Sequence, residues 1–242
     1  MTQLTSYVCC FGDLYPKKHQ HIFNQQNIML GGSSLDEDRK QTLKNAGYIL
    51  DDDGENISHL NEHFGDLTGM YWVWKNSDAE WPAMAQYRRF WEEPNVMAVV
   101  PFNDKTIYMP QPQPWTSVMD QYLQYHGSYG IDRLYEYSLR EETKLTHDQV
   151  HSLHHVFTMY PYNMLFCHKD LFDKVCTVLF EILFDIYDQQ MIQYINETIK
   201  TDPYQKRLPA FLTERLLSIL YINKKYFFGK DIETKQVDMR WI

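Results

Sequence analysis

The sequence predicts an α/β protein, with a central mixed sheet flanked by helices and a second half that is rich in helices. Three observations carry that reading. Residues 5–10 and 82–85 are short apolar runs of strand length. Between them lie two helical stretches: residues 35–45, with a serine start and a glycine stop, and residues 63–75, with apolar residues at helical spacing. From residue 115 onward helical spacing dominates, interrupted by a single strand-like run.

Taken in order, residues 5–10 end at Phe11-Gly12-Asp13, so a buried first strand leads into a loop. Gly31-Gly32 breaks the chain. Ser33 or Ser34 is then expected to cap the helix over 35–45, with acidic residues in its first turn and Gly47 past its end. The polar run 51–61 reads as a turn. Phe64, Leu67, Met70, Tyr71 and Trp74 mark the sheet-facing side of the next helix, which Asn76-Ser77 stops. Strands are expected over 82–85, 95–100 and 106–109, and the PQPQPW run at 110–115 as a stiff surface loop. Helical patterns fill most of 115–157, a strand is expected over 160–167, a buried helix over 171–187 and an amphipathic helix over 208–221. Residues 224–242 form a basic, aromatic tail, with Lys224, Lys225 and Lys230 placed to touch a membrane surface or to pack. Without internal repeats or a long linker, the chain reads as one domain over 1–242, its halves meeting near residue 110.

The 242 residues suffice to bury about 70% of the unfolded surface. A formal charge of −9 argues against a nucleic-acid partner, which needs a broad basic face. Aromatic residues make up 15% of the chain, enough to line a sugar pocket as well as a core. Cys9, Cys10, Cys167 and Cys176 form no CxxC pair, which suits reduced thiols in a cytoplasmic compartment. Neither a signal peptide nor a transmembrane segment is expected. His147, His151, His154 and His155 include i,i+4 pairs but lack an acidic or cysteine partner nearby, so a solvated helix face is the expectation.

Five blocks carry a resemblance: DDDGENIS at 51–58, DLTGMYWVWKN at 66–76, QYRRFW at 86–91, YNMLFCHKDLFDKVC at 162–176 and DPYQKRLPAFLTERLLSIL at 202–220. In this order they resemble a family long catalogued as a domain of unknown function in polysaccharide-biosynthesis proteins, whose characterised members are galactofuranosyltransferases. The element order is similar to that of GT-A glycosyltransferases. The chain departs from the family at Asp66, where Glu is typical, at Gln86, where His is typical, and at Cys10-Phe11-Gly12, where Thr-His-Lys is typical. Donor contacts of that first loop are therefore not carried over.

The resemblance implies a GT-A-like single domain, with a nucleotide-sugar-binding half over about 1–110 and an acceptor half over about 111–242. It implies an inverting glycosyltransferase that moves galactofuranose from UDP-galactofuranose onto a hydroxyl of an oligosaccharide or lipid-linked glycan, as in O-antigen synthesis. An enzyme of that kind works in the cytoplasm or peripherally at the inner face of a membrane. Such transfer needs a cation for the departing diphosphate and a base for the acceptor hydroxyl. Where typical GT-A enzymes carry a metal-binding Asp-x-Asp, this chain has Gln86-Tyr87-Arg88-Arg89, so Arg88 or Arg89 is expected to hold the diphosphate. On one continuing strand the two would point to opposite faces. The resemblance also favours Asp52, Asn56 and Ser58 as donor contacts, joined by Tyr87 and Lys75. Glu214 is the expected proton acceptor, with Asp132 and Asp202 as alternatives on the acceptor side, and Asn163 is placed to bond sugar hydroxyls. Two rivals remain open: Mn²⁺ or Mg²⁺ held by Asp51-Asp52-Asp53 in a transferase using another sugar, and a glycan-binding protein that keeps the fold without catalysis.

Overall fold

The computed structural model describes residues 4–12, 24–98 and 102–241. They fall into two compact units: the first takes in residues up to 111 together with 163–174 and 231 onward, and the second takes in 112–162 and 175–230.

The first unit opens with β1 (Leu4–Cys10), buried along its whole length, and β2 (Gln25–Met29) lies parallel to it. A turn of 3-10 helix over Gly32–Ser34 follows Gly31, whose φ of 71° is in the left-handed region. Both serines lie inside this turn, so the helix cap falls later than expected. α1 (Glu37–Asn45) is capped by Asp36, whose carboxylate accepts the Arg39 N–H at 2.7 Å. After β3 (Ile49–Leu50), parallel to β2, the helix expected over 63–75 is split into α2 (Asn61–Phe64) and α3 (Leu67–Asn76). Gly65 separates them with φ 54° and ψ −127°, a conformation that residues with a Cβ avoid. α3 lies flush on the sheet, because a Cβ at Gly69 would come 2.7 Å from Cys9 Sγ and 2.9 Å from Leu30 Cδ2.

β4 (Trp81–Gln86) runs parallel to β1, and β5 (Arg89–Trp91) turns back antiparallel with Gln86 opposite Arg89. Tyr87 and Arg88 are thus the two residues of a hairpin turn, and the two arginines do not alternate along one strand. Residues 93–97 are helical (α4, Glu93–Met97) instead of extended, because Pro94 in the first turn pre-sets helical φ. Positions 99 and 100 of that expected strand lie outside the described residues. β6 (Thr106–Pro110) is buried throughout, so the first proline of the PQPQPW run belongs to a strand instead of a loop.

In the second unit β7 (Gln113–Pro114) pairs antiparallel with β8 (Thr158–Met159), and α5 (Val118–His126), α6 (Tyr129–Ser138) and α7 (His147–His151) lie between them in sequence. The strand expected over 160–167 does not form. Tyr162 and Asn163 take φ values of 78° and 52°, which breaks the extended run. Residues 165–166 instead bridge β4 and β6: the Met84 N–H donates to the Leu165 carbonyl, and Phe166 and Tyr108 exchange two bonds, all at 2.9 Å. α8 (Lys169–Ile186) begins in the first unit's segment and continues into the second. It exposes Thr177, Glu181 and Phe184 while burying Leu179, Leu183 and Ile186, so it is one-sided and not apolar all round. α9 (Gln189–Thr198), α10 (Leu208–Ile222) and α11 (Lys224–Phe227) complete the second unit. The chain then returns to the first as β9 (Glu233–Val237), parallel to β6, and β10 (Met239–Trp241), antiparallel to β5. The main sheet has the order β10-β5-β4-β1-β2-β3.

Candidate functional site

From β1 the chain builds the sheet on one side through β2 and β3, then crosses to place β4 on the other side of β1. Parallel sheets bind ligands outside the carboxyl ends of their strands at such a reversal, because the loops there diverge. The carboxyl ends here are Cys10 and Gln86, and the Tyr87 N–H donates to the Cys9 carbonyl at 3.0 Å, so the pairing holds to the hairpin tip. Burial pushes the Cys9 thiol well up, with the Asp66 charge adding to it, and burial pushes Cys10 up to about 12. Both are packing groups and not nucleophiles.

Asp66 lies at the start of α3, and its carboxylate gathers the polar groups of this edge. Gln86 Nε2 donates to Asp66 Oδ2 at 2.7 Å, and Asn163 Nδ2 donates to Oδ1 at 3.4 Å. Gln86 Oε1 in turn accepts from Arg89 Nη1 at 2.5 Å. The Arg89 guanidinium sits 4.2 Å from the ring centre of Trp241 on β10, so both its edge and its face are engaged. Arg88 is exposed at the hairpin tip, 4.9 Å from the half-buried Tyr87 ring. The edge therefore holds one oriented and one exposed guanidinium beside a carboxylate and two carboxamides, a set suited to an oxyanion and to hydroxyl groups. Two of the family departures, Asp66 and Gln86, turn out to be hydrogen-bonded to each other.

The acidic turn after β3 is an internal scaffold. Asp51 is fully buried and accepts four bonds: Gly31 N–H at 3.0 Å, Gly32 N–H at 2.8 Å, and the Ser58 and Thr68 hydroxyls at 2.6 Å each. Asn56 ties the turn by donating to the Asp52 and Gly54 carbonyls and accepting the Ser58 N–H. Asn76 clasps Glu55 through both the N–H and the carbonyl of that residue. Lys75 lies 3.7 Å from the Trp74 ring centre and 3.4 Å from Glu55. The three consecutive carboxylates diverge: Asp51 inward, Asp52 onto Lys40 at 2.7 Å, and Asp53 onto Lys44 at 2.9 Å. Asp52 differs from its neighbours in one respect. Its Oδ1 is buried without a hydrogen-bond partner, beside Gly32, where a Cβ would come within 2.4 Å. Among the described residues no group of three or more His, Cys, Asp or Glu is arranged to hold a metal ion.

In the second unit, Glu214 sits on α10 and is largely buried. Its Oε1 accepts the Tyr162 N–H at 2.7 Å, and its Oε2 accepts from Arg215 Nη1 at 2.9 Å. Arg215 is itself buried: it also donates to the Phe211 carbonyl at 2.7 Å and to Gln121, and lies 4.9 Å from the Tyr122 ring centre. Burial pushes that guanidinium down, against the opposing pull of Glu214. Asp132 is exposed on α6. Asp202 caps a 3-10 turn over Pro203–Arg207, accepting the Tyr204 N–H at 3.1 Å. The four histidines at 147, 151, 154 and 155 are exposed, with neighbouring ring centres 5.0–6.3 Å apart.

Sequence reasoning singled out Asp52, Asn56, Ser58, Lys75, Tyr87, Arg88 and Arg89, and all seven lie in the first unit, with Asn163. Asn56 and Ser58 hold the turn together, while Arg88, Arg89 and Asn163 join the strand-end cluster. Asp51, Asp66 and Trp241 carry structural weight that the sequence did not assign to them. Asp66 had a signal as a departure from the family pattern and Asp51 as part of the acidic turn, whereas Trp241 had none.

A family model described as a domain of unknown function, DUF4422, matches residues 17–225. No curated protein matches the chain. Among solved structures, the apo structure of the bifunctional glycosyltransferase WbbM superposes with a TM-score of 0.69 at 19% identity, over 99% of this chain and 45% of that one. The two share a fold, and this chain spans less than half of the length of WbbM.

Proposed function

We propose, from the premise that this chain belongs to the DUF4422 family, that it is a glycosyltransferase drawing on a nucleotide-sugar donor. The observation that carries the reading is the Arg88/Arg89 hairpin set beside Asp66, Gln86 and Asn163 at the carboxyl ends of β1 and β4. The fold shared with WbbM supports it. The donor of this reading is UDP-galactofuranose and the acceptor a glycan hydroxyl, free or lipid-linked.

In the reaction the acceptor oxygen attacks the anomeric carbon, the bond from that carbon to the diphosphate oxygen breaks, and UDP leaves with the configuration inverted. Glu214 takes the hydroxyl proton. Arg88, exposed at the hairpin tip, meets the departing diphosphate, and Arg89, fixed by Gln86 and Trp241, supplies a second positive charge in a set orientation. Asp52 Oδ1, a buried acceptor without a partner, is suited to an N–H or hydroxyl of the nucleoside. Asn163 offers its amide to sugar hydroxyls. The site is assigned to the cytoplasmic side; no helix among the described residues is long and apolar enough to cross a membrane.

One observation favours a second reading, a glycan-binding protein without catalysis: both Glu214 oxygens already accept hydrogen bonds. Calorimetric titration with UDP, GDP, UDP-galactopyranose and UDP-galactofuranose, with and without Mn²⁺, separates the readings. The transferase reading expects UDP-selective binding that survives EDTA and weakens by about 2–5 kcal/mol in Arg88→Ala/Arg89→Ala, together with activity lost in Glu214→Gln. Binding abolished by EDTA and indifferent to the arginines would sink the arginine assignment; no nucleotide binding at all would favour the glycan-binding reading.

A further inference from the structure

The second unit carries ring faces beside Glu214 that transfer chemistry alone leaves without a role. α5 ends in Tyr125-His126, and Tyr204 stands on the 3-10 turn that leads into α10. The His126 ring stacks on Phe211 with centres 4.2 Å apart and planes 22° off parallel. Phe211 is in turn 4.6 Å from Tyr204, and Trp115 meets the edge of Tyr125 at 6.0 Å. Buried Gln205 fixes this arrangement: its Oε1 lies 3.1 Å from His126 Nδ1, and its Nε2 donates to the Tyr125 carbonyl and to Asp202, both at 2.9 Å. The inner rings are locked while the outer ones stay open, Tyr204 being 61% and Tyr125 49% exposed. Phe211 and Glu214 are three residues apart on α10 and so share one side of it, and Arg215 bonds the Phe211 carbonyl.

Rings held open to water at fixed angles, with phenolic hydroxyls at their rims, match a pyranose or furanose: its C–H face packs on the ring and its hydroxyls bond at the edge. Gln205 holds the His126 ring on which Phe211 stacks, so the inner part of the surface is already ordered and costs little side-chain entropy on binding. A lipid surface fits less well, since a chain of net charge −9 has no general attraction to anionic headgroups. We infer that Tyr125, Tyr204 and Phe211 form a carbohydrate platform that holds the acceptor glycan by its C–H faces next to Glu214. The inference rests on the transferase reading for the word acceptor, and on the rings alone for carbohydrate.

The test uses the whole protein with methyl β-galactofuranoside, methyl β-galactopyranoside, methyl α-glucopyranoside and lactose, followed by ligand-observed NMR and calorimetry, with UDP titrated in parallel. The platform is supported if at least one glycoside binds and Tyr125→Ala/Tyr204→Ala weakens it roughly tenfold, while the corresponding pair of Phe variants stays within about threefold and UDP affinity is unchanged. Matching thermal unfolding of the double-alanine variant and the wild type shows that its fold is kept. Glycoside affinity unchanged in that variant overturns the inference, as does UDP binding with no glycoside binding at all. So does a variant that keeps its glycosides but no longer binds phosphatidylglycerol vesicles, which would assign the rings to lipid. Ring-dependent glycoside binding without any UDP binding supports the platform and removes the transferase reading instead.

Discussion

Asp51→Asn is expected to be among the most damaging single-atom exchanges in the first unit. Each Asp51 oxygen accepts one backbone N–H and one hydroxyl: Gly31 and Thr68 on Oδ2, Gly32 and Ser58 on Oδ1. An asparagine amide placed on either side sets an N–H against an N–H. The facing hydroxyl can rotate to accept, but the glycine amide cannot, so one buried donor is orphaned at about 1–3 kcal/mol. The remaining bonds also lose charge assistance, roughly halving their strength. Together the loss is about 3–4 kcal/mol, which in a chain of this size lowers Tm by roughly 6–16 °C. Circular dichroism melts and urea titration read both quantities. Ser58→Ala and Thr68→Ala, each removing one of the four donors, should cost about 1 kcal/mol apiece. A loss below ~1 kcal/mol for Asp51→Asn would refute the claim that this carboxylate holds the Gly31-Gly32 turn.

Acid should weaken the protein through His126, whose burial, helped by the Arg215 charge, pushes it down from 6.5 to about 4. The unfolded chain binds this proton first, so the stability is complete above about pH 6.5 and falls as pH drops toward 4, by on the order of 2 kcal/mol after solvent screening. Urea midpoints at pH 7 and pH 5 check it: the wild type should lose more than His126→Phe, and equal losses would contradict the assignment. Trp241→Ala should leave Tm nearly unchanged, because the ring is 54% exposed, yet weaken UDP binding about two- to fivefold by releasing the face of Arg89. Unchanged UDP affinity would mean that the stacking does not orient Arg89 for a ligand.

What the sequence showed and what it hid follow from the range of the interactions. β1, β4 and α3 are written in local apolar patterns, and the helix after Pro94 was also locally signalled, although the apolar run beyond it suggested a strand. The acidic turn was conspicuous, but three adjacent aspartates look alike until Gly31 and Gly32, some twenty residues upstream, select Asp51 for burial. Arg88 and Arg89 were legible as residue types, not as a pair with different exposures, because that depends on where β4 turns. The extended propensity of 160–167 yields to two left-handed residues whose neighbours bond β4 and β6. Nothing local announces Trp241, which reaches Arg89 only through the pairing of β10 with β5.

That last pairing also orders events in time. β1 finds β4 across a long intervening stretch, and Arg89 gains its ring only when β10, far downstream, adds to β5. Contacts so distant along the chain form late in folding. Nascent chains interrupted before residue 239 would carry both arginines, with Arg89 held by Gln86 but lacking the Trp241 ring over its face. The aromatic support of Arg89 is therefore among the last features that the chain can complete.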